Sequence, residues 1–191
     1  MMDLSHIEDA LLIEGSVVLY PTGTVYGIGG SAFDAASAIR VAEIKGRENL
    51  PLIVLVPTTP KGLSPLGVAL AERFWPGPLT LVLPNRWGYP RSVCSKDNTV
   101  AIRWSAHPVV QRIVDTVGPL TSTSANRHGH PPMIEVDDSI EVDAVLDIGP
   151  LPPSVPSTIV NGVTGEVIRA GANVQEVERA IAEDFASLVA E

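Results

Sequence analysis

Short apolar runs that end at proline or glycine alternate with helix-like segments along this chain. The first run, 17–20, is rich in β-branched residues and ends at Pro21, which has no backbone N–H to donate in a sheet. The run 52–56 is apolar throughout, which is typical of a strand buried on both faces. Further strands are predicted at 79–83, 99–104, 119–123 and 144–148, with a hairpin of 158–160 and 166–169.

Apolar residues spaced three or four apart predict helices between these strands. The clearest helix begins after Asp34, a predicted N-cap, and ends at Gly46, a predicted left-handed glycine. Other helices are predicted at 5–14, at 68–74, from Pro108 onward, and from a capping box of Asn173 and Glu176 through Leu188. This arrangement predicts an α/β (mixed α+β) fold, in which one twisted mixed sheet with flanking helices forms a single domain over residues 1–191.

The charge and composition limit the classes of partner. The 191 residues carry a net charge of −9, so the chain repels polyanions unless its few cations gather at one site. A single cysteine excludes an internal disulfide and fits a reducing compartment. No stretch approaches the roughly 20 apolar residues needed to span a membrane, and the N-terminus lacks a basic leader region. We therefore expect a soluble cytoplasmic protein.

The stretch 17–47 carries the strongest indication of a ligand. A loop of threonine and glycine at 22–30 follows the first strand, and Lys45 and Arg47 flank the end of the next helix. This segment therefore combines hydroxyls, free N–H groups and two cations, which suit a small anion such as a nucleotide. The alternative is that the two cations have no ligand, because cations are common at helix C-termini, where they complement the helix dipole. The glycines at 27–30 do not make a nicotinamide site, because residues 22–26 separate them from the strand and no acid ends the next strand.

Several predicted strands end in polar side chains, where open α/β sheets usually bind ligands. Arg103 stands out because it interrupts an apolar strand, and a buried guanidinium needs an anion, either a ligand or one of the chain's 22 acids. The pair His128 and His130 with the distant Cys94 is a poor ligand set, so no metal site is predicted. The polar segment 85–98 is predicted to be an irregular, mobile loop.

Taken together, these segments resemble the YrdC-like family of threonylcarbamoyl-adenylate synthases, and the match covers nearly the whole chain in the family's order. The matching stretches are Y-P-T-G-T-V-Y-G at 20–27, K-G-R at 45–47, P-L-I-V at 51–54, W-P-G-P-L-T at 75–80, T-V-A-I-R at 99–103, S-T-S-A-N at 122–126, S-T-I-V at 157–160 and I-R-A-G at 168–171. The resemblance implies one twisted domain with a concave ligand groove. It also implies a nucleotidyltransferase that makes threonylcarbamoyl-AMP and pyrophosphate from L-threonine, bicarbonate and ATP, after which other proteins pass the threonylcarbamoyl group to tRNA.

The resemblance also assigns roles to residues. Lys45 and Arg47 would be the catalytic cations, and ATP would be bound by them together with Thr99, Ser124, Asn126 and Arg169. L-Threonine would be bound by Thr22, Arg103 and Ser157. Mg²⁺ is expected on the phosphates of ATP, and the sequence indicates no general base.

Four departures from the family's pattern bear on threonine selectivity more than on nucleotide binding. Gly23 stands where the family usually has Glu, and Leu55 where many longer relatives have His, which leaves the choice between threonine and serine open. The segment 48–50 is one residue shorter than usual and lacks the common Pro after Arg47, and Trp104-Ser105 replaces the usual residue and Pro after Arg103. We also expect the extra C-terminal domain of those relatives to be missing. One alternative is a paralogue that binds nucleotide or RNA without making this product. A non-catalytic RNA-binding module is the other, and the net charge of −9 disfavours it.

Overall fold

A nine-stranded mixed sheet organises the computed structural model, which describes residues 3–47, 51–127 and 129–188. The strands are β1 (Val18–Pro21), β2 (Tyr26–Gly29), β3 (Ile53–Leu55), β4 (Leu79–Pro84), β5 (Thr99–Arg103), β6 (Leu120–Ser124), β7 (Ala144–Val145), β8 (Thr158–Asn161) and β9 (Val167–Arg169). Their order across the sheet is β7-β1-β2-β6-β3-β5-β4-β8-β9. The pairs β1/β7, β3/β5 and β4/β8 are parallel, and the other neighbours are antiparallel. The predicted mixed sheet with flanking helices is confirmed.

Helices cover both faces of the sheet. They are α1 (Ser5–Leu11), α2 (Ala35–Lys45), α3 (Pro65–Phe74), α4 (Pro108–Val117) and α5 (Val174–Leu188). Side chains of α1 and α4 share one apolar cluster with Val18 and Tyr20 of β1. Side chains of α2, α3 and α5 share the other cluster with Leu19 of the same strand. Because side chains alternate along a strand, this division places α1 and α4 on one face and the remaining helices on the opposite face.

The ends of α2 follow the local signals in its sequence. Asp34 accepts a hydrogen bond from the N–H of Ala36 at 2.8 Å, and Gly46 ends the helix with φ +62°.

Two other predictions about helix starts are wrong. Pro65 was expected to lie in a loop, but it is the first residue of α3, where its missing N–H costs nothing. Asn173 was expected to cap α5, but its φ of +58° is not the extended conformation of an N-cap.

The largest difference from the sequence prediction is β2, which was expected to be part of a loop. Tyr26–Gly29 is a buried strand between β1 and β6. A Cβ built on Gly29 would lie 1.7 Å from the carbonyl oxygen of Thr121, so glycine here permits close approach of the backbones of β2 and β6. The glycines of this stretch therefore serve strand packing.

Segment 85–98 is irregular, as predicted, but it is packed against the core. Tyr89, Val93 and Cys94 are buried, and the Asn85 side chain donates to the carbonyl oxygen of Tyr89 at 2.8 Å. These contacts favour an ordered loop over an open one.

Among the described residues, no helix combines the length and the apolar character that crossing a membrane requires.

Candidate active site

A cavity of about 240 Å³ opens on the face of the sheet that α1 and α4 leave partly uncovered. Its wall combines two arginines with hydroxyl and apolar side chains, and none of the described residues that line it carries a carboxylate. The lining residues are Thr22, Thr24, Val25, Gly27, Pro51, Ile53, Leu55, Arg103, Ser105, Ser122, Thr123, Ser124, Pro156, Ser157, Ile159 and Arg169. Two cations without acids make this cavity suited to an anionic ligand.

Arg103 is the last residue of β5 and is held in place by the turn that follows α3. Its Nε donates to the carbonyl oxygen of Gly77 at 3.0 Å, and the N–H of Gly77 donates to Trp104 O at 2.9 Å. No acid among the described residues forms an ion pair with Arg103. Burial, and then the neighbouring charge of Arg169, lower the pKa of this guanidinium. The sequence left open whether Arg103 pairs with an acid of the chain, and the described part of the chain contains no such ion pair. The N–H groups of Arg103 other than Nε can therefore bind a ligand.

Arg169 approaches the same cavity from β9 and is fixed to Ser157. Its Nη2 donates to the carbonyl oxygen of Ser157 at 2.8 Å and to the hydroxyl of Ser157 at 3.2 Å. That hydroxyl also lies 2.9 Å from the Thr80 hydroxyl. Gly171 allows this close arrangement, because a Cβ there would lie 2.3 Å from the carbonyl oxygen of Pro156. Burial lowers the pKa of Arg169.

The turn between β1 and β2 supplies hydroxyls to the opposite wall. The Thr22 hydroxyl donates to the carbonyl oxygen of Val25 at 2.7 Å and lies 3.3 Å from the Thr24 hydroxyl. Since its hydrogen is used within the turn, the Thr22 oxygen presents lone pairs, which can accept from a ligand ammonium or hydroxyl group.

Lys45, at the end of α2, lies beside this cavity and contacts its wall through Ser124. Its Nζ donates to the carbonyl oxygen of Ser124 at 2.8 Å, to the Ser124 hydroxyl at 3.3 Å and to Asn126 Oδ1. Only 6% of Lys45 is exposed. Burial, and then Arg47, lower the pKa of this amine to about 8. All of these partners are neutral oxygens, and no acid within the described ranges forms an ion pair with Lys45.

Beyond Lys45 the surface continues as a groove of about 710 Å³. Its lining includes Lys45, Arg40, Arg127 and His130, with the acids Glu43 and Glu141. The arrangement therefore offers two adjoining anion sites: an enclosed one at Arg103 and an open one at Lys45, joined through Ser124.

Most of the predicted site residues come together in this region. Lys45, Ser124 and Asn126 contact one another, and Thr22, Arg103, Ser157 and Arg169 line the smaller cavity. Arg47 is exposed at the end of α2 and lines none of the cavities described above. His128 lies outside the described residues.

Thr99 lies elsewhere. It is the first residue of β5, whereas Arg103 is the last, a separation of roughly 13 Å along a strand. The Thr99 hydroxyl contacts Asp97 Oδ1 at 2.9 Å and the Ser95 hydroxyl at 2.5 Å. The structure does not bring Thr99 to the cavity, and its contact with ATP stays a prediction.

Two residues near the cavity were given no role in the site from the sequence. Ser105 is buried and lines the cavity, and its hydroxyl accepts a hydrogen bond from the N–H of His107 at 3.2 Å. The His107 ring lies against Gly23. A glycine between two threonines was the only sequence signal of a tight contact at this turn.

Comparison with known proteins gives a consistent result. The model of the Sua5/YciO/YrdC domain, described as telomere recombination, matches residues 10–171. A threonylcarbamoyl-AMP synthase from Coxiella burnetii is 35% identical over 179 residues, covering 85% of this chain and 96% of the relative. A threonylcarbamoyl-AMP synthase from Pyrococcus abyssi is 32% identical over 186 residues, covering 89% of this chain and 55% of the relative.

Solved structures agree with these matches. The crystal structure of Pyrococcus abyssi Sua5 in complex with L-threonine superimposes with a TM-score of 0.83 at 31% identity, over 96% of this chain and 59% of that chain. The chain therefore spans about three fifths of the length of that protein. Escherichia coli YciO has the same fold, with a TM-score of 0.74 at 21% identity over 90% of this chain and 92% of that chain.

Proposed function

This chain belongs to the Sua5/YciO/YrdC family, and we propose that it catalyses the formation of threonylcarbamoyl-AMP and pyrophosphate from L-threonine, bicarbonate and ATP. The observation that carries the proposal is the pair of adjoining anion sites, one at Arg103 and one at Lys45, with no carboxylate of the described residues in contact with either cation. A reaction that joins an amino acid to a nucleotide needs two such sites side by side. The relatives named as synthases and the relative crystallised with L-threonine support the same assignment.

L-Threonine would occupy the smaller cavity. Its carboxylate would bind the free N–H groups of Arg103, because the guanidinium fork matches a carboxylate with two parallel hydrogen bonds. The hydroxyls of Thr22 and Ser157 would face the polar groups of the substrate, and the apolar wall formed by Ile53 and Leu55 would suit its methyl group. The amine nitrogen would bond to the carbon of bicarbonate, with loss of water, to give N-carboxythreonine, which is also an anion.

ATP would lie along the groove at Lys45, where the amine would redirect its N–H donors from the oxygens of Ser124 and Asn126 to the phosphates. An oxygen of the carbamate attacks the α-phosphorus; one P–O bond forms, the bond from the α-phosphorus to the bridging oxygen breaks, and pyrophosphate leaves with that oxygen. Lys45 and Arg47 would stabilise the charge that develops on the phosphates. Catalysis would then consist mainly of holding two anions in line for reaction.

Mg²⁺ would enter with ATP. The described residues contain no group of three or more His, Cys, Asp or Glu side chains that could hold a metal ion, so the phosphates themselves would supply the ligands. The ion would neutralise phosphate charge, and Lys45 would orient the phosphates from the protein side.

The contact with tRNA would be indirect. The product would be passed to other proteins that place the threonylcarbamoyl group on tRNA, and we propose that these steps take place in the cytoplasm. The net charge of −9 supports this division of labour, because direct binding of a polyanion by this chain would be opposed by long-range repulsion.

Pyrophosphate release from purified protein tests the proposal when each substrate is left out in turn. We expect release that requires ATP, L-threonine and bicarbonate together, with a product of the mass of threonylcarbamoyl-AMP. Bound ATP without threonine-dependent release would reject the synthase and would indicate a paralogue that only binds nucleotide.

A further inference from the structure

The His107 side chain forms the back of the turn that carries Thr22 and Thr24. A Cβ built on Gly23 would lie 2.9 Å from Cδ2 of His107, 3.4 Å from its Cγ and 3.5 Å from its Cβ. All three nearest atoms belong to His107, so the edge of the imidazole occupies the space that a side chain at position 23 would need. Gly23 also has φ +91°, which side chains other than glycine rarely adopt.

His107 is itself held firmly at the start of α4. Its N–H donates to the Ser105 hydroxyl at 3.2 Å, and its carbonyl oxygen accepts from the N–H of Gln111 at 3.0 Å. The Gln111 side chain donates to the carbonyl oxygen of Ser105 at 3.1 Å. These hydrogen bonds fix the backbone of His107, and with it the position of the ring, to α4, which is the helix that follows Arg103 in the chain.

The ring nitrogens do not explain why a histidine stands here. The side chain forms no capping hydrogen bond with α4, and Nδ1 is buried without a hydrogen-bond partner among the described residues. Burial, and then the charge of Arg103, lower the pKa of His107, so the ring is neutral near pH 7. The contact that remains is the packing of the Cβ, Cγ and Cδ2 edge on Gly23.

We infer that His107 is a positioning residue, whose ring edge sets the Thr22–Thr24 turn against the amino-acid cavity and so governs threonine binding. This inference rests on the proposed function. The hydrogen bonds of the turn, from the N–H and hydroxyl of Thr22 to the carbonyl oxygen of Val25, lie within the turn and fix its shape. The contact between Gly23 and His107 ties that shape to α4, and hence to the position of Arg103.

Three substitutions separate this role from a general effect on folding. His107→Ala removes Cγ and Cδ2 and leaves a gap behind Gly23, so we expect threonine kcat/KM to fall roughly 10- to 100-fold, the scale of a displacement of up to about 1 Å. The KM for ATP should change less than about twofold, because Lys45 lies on another element. His107→Leu keeps Cβ, Cγ and Cδ2 and should restore most of the loss, since no ring nitrogen is needed.

The third substitution is Gly23→Ala, which places a methyl group against the ring. In the His107→Ala background this methyl keeps only an ordinary contact with the Cβ of residue 107 at 3.5 Å, so the double variant should lose less stability than the sum of the two single variants. Urea unfolding of the four proteins measures this coupling independently of catalysis. If the wild-type protein makes no product with threonine, the proposed function fails, whereas the contact is still tested by this cycle.

Several outcomes would overturn the inference. Additive losses of stability would show that His107 and Gly23 do not share the contact. Equal changes in the KM values for threonine and ATP in His107→Ala would indicate a structural role only. Recovery by His107→Asn but not by His107→Leu would assign the role to a ring nitrogen.

Discussion

Replacing Arg103 by alanine should impair threonine use while leaving the fold and ATP binding largely unchanged. The Nε of Arg103 is occupied by the carbonyl oxygen of Gly77, which leaves the terminal nitrogens for two parallel bonds to a carboxylate. Losing a buried, charge-assisted contact of this type costs about 3–5 kcal/mol, which corresponds to roughly a 10²- to 10⁴-fold fall in threonine kcat/KM. Arg103→Lys keeps the charge without the fork and should lose less.

The free energy of unfolding should change by only about 1 kcal/mol in Arg103→Ala. The variant loses the hydrogen bond to Gly77 but also relieves the repulsion between Arg103 and Arg169, which have no acid between them. Initial rates of pyrophosphate release at varied threonine and varied ATP, with thermal unfolding of the same samples, measure these effects. Arg86→Ala, which removes an exposed arginine away from the cavity, is the matched control. An unchanged response to threonine in Arg103→Ala would refute the carboxylate assignment.

Three further predictions concern Lys45, Asn126 and Gly29. Because burial lowers the pKa of Lys45 to about 8, the amine is charged below that pH and neutral above it. The affinity for ATP, measured by calorimetry, should therefore fall between about pH 7 and about pH 9. Lys45→Arg, whose charge does not titrate in this range, should make the affinity less dependent on pH. Asn126→Asp should weaken ATP binding about tenfold or more in the same titration, because the new carboxylate would pair with Lys45 and repel the phosphates. An unchanged affinity for ATP would show that the phosphates bind elsewhere. Gly29→Ala should unfold the protein or cost more than about 3 kcal/mol, since a Cβ would lie 1.7 Å from Thr121 O. A urea midpoint close to that of the wild-type protein would contradict the packing argument.

Local signals were sufficient for some elements of the fold. Helix α2 could be predicted from Asp34 to Gly46 because capping depends on a few neighbouring residues. Strand β5 could be predicted, together with the importance of Arg103, because a lone cation in an apolar run is anomalous wherever the run lies. The family resemblance then supplied the remaining site residues, since no local pattern connects Ser157 with Lys45.

Features that depend on contacts between distant segments could not be predicted in this way. Strand β2 contains two glycines in four residues, which disfavour a strand, and it is a strand because β1 and β6 pair with it on both sides. The contact of His107 with Gly23 joins two turns that are far apart in the chain, so no periodicity or spacing indicates it. Thr99 shows that a residue in a matching segment need not line the cavity, and its contact with ATP stays a prediction.

The most direct test of two adjoining anion sites is a crystal structure of the protein with L-threonine and a non-hydrolysable ATP analogue. The account predicts the threonine carboxylate within hydrogen-bond distance of the terminal nitrogens of Arg103, and the phosphates beside Lys45 and Asn126. Phosphates bound to Arg103 in place of the threonine carboxylate, or threonine bound away from Thr22, would contradict it.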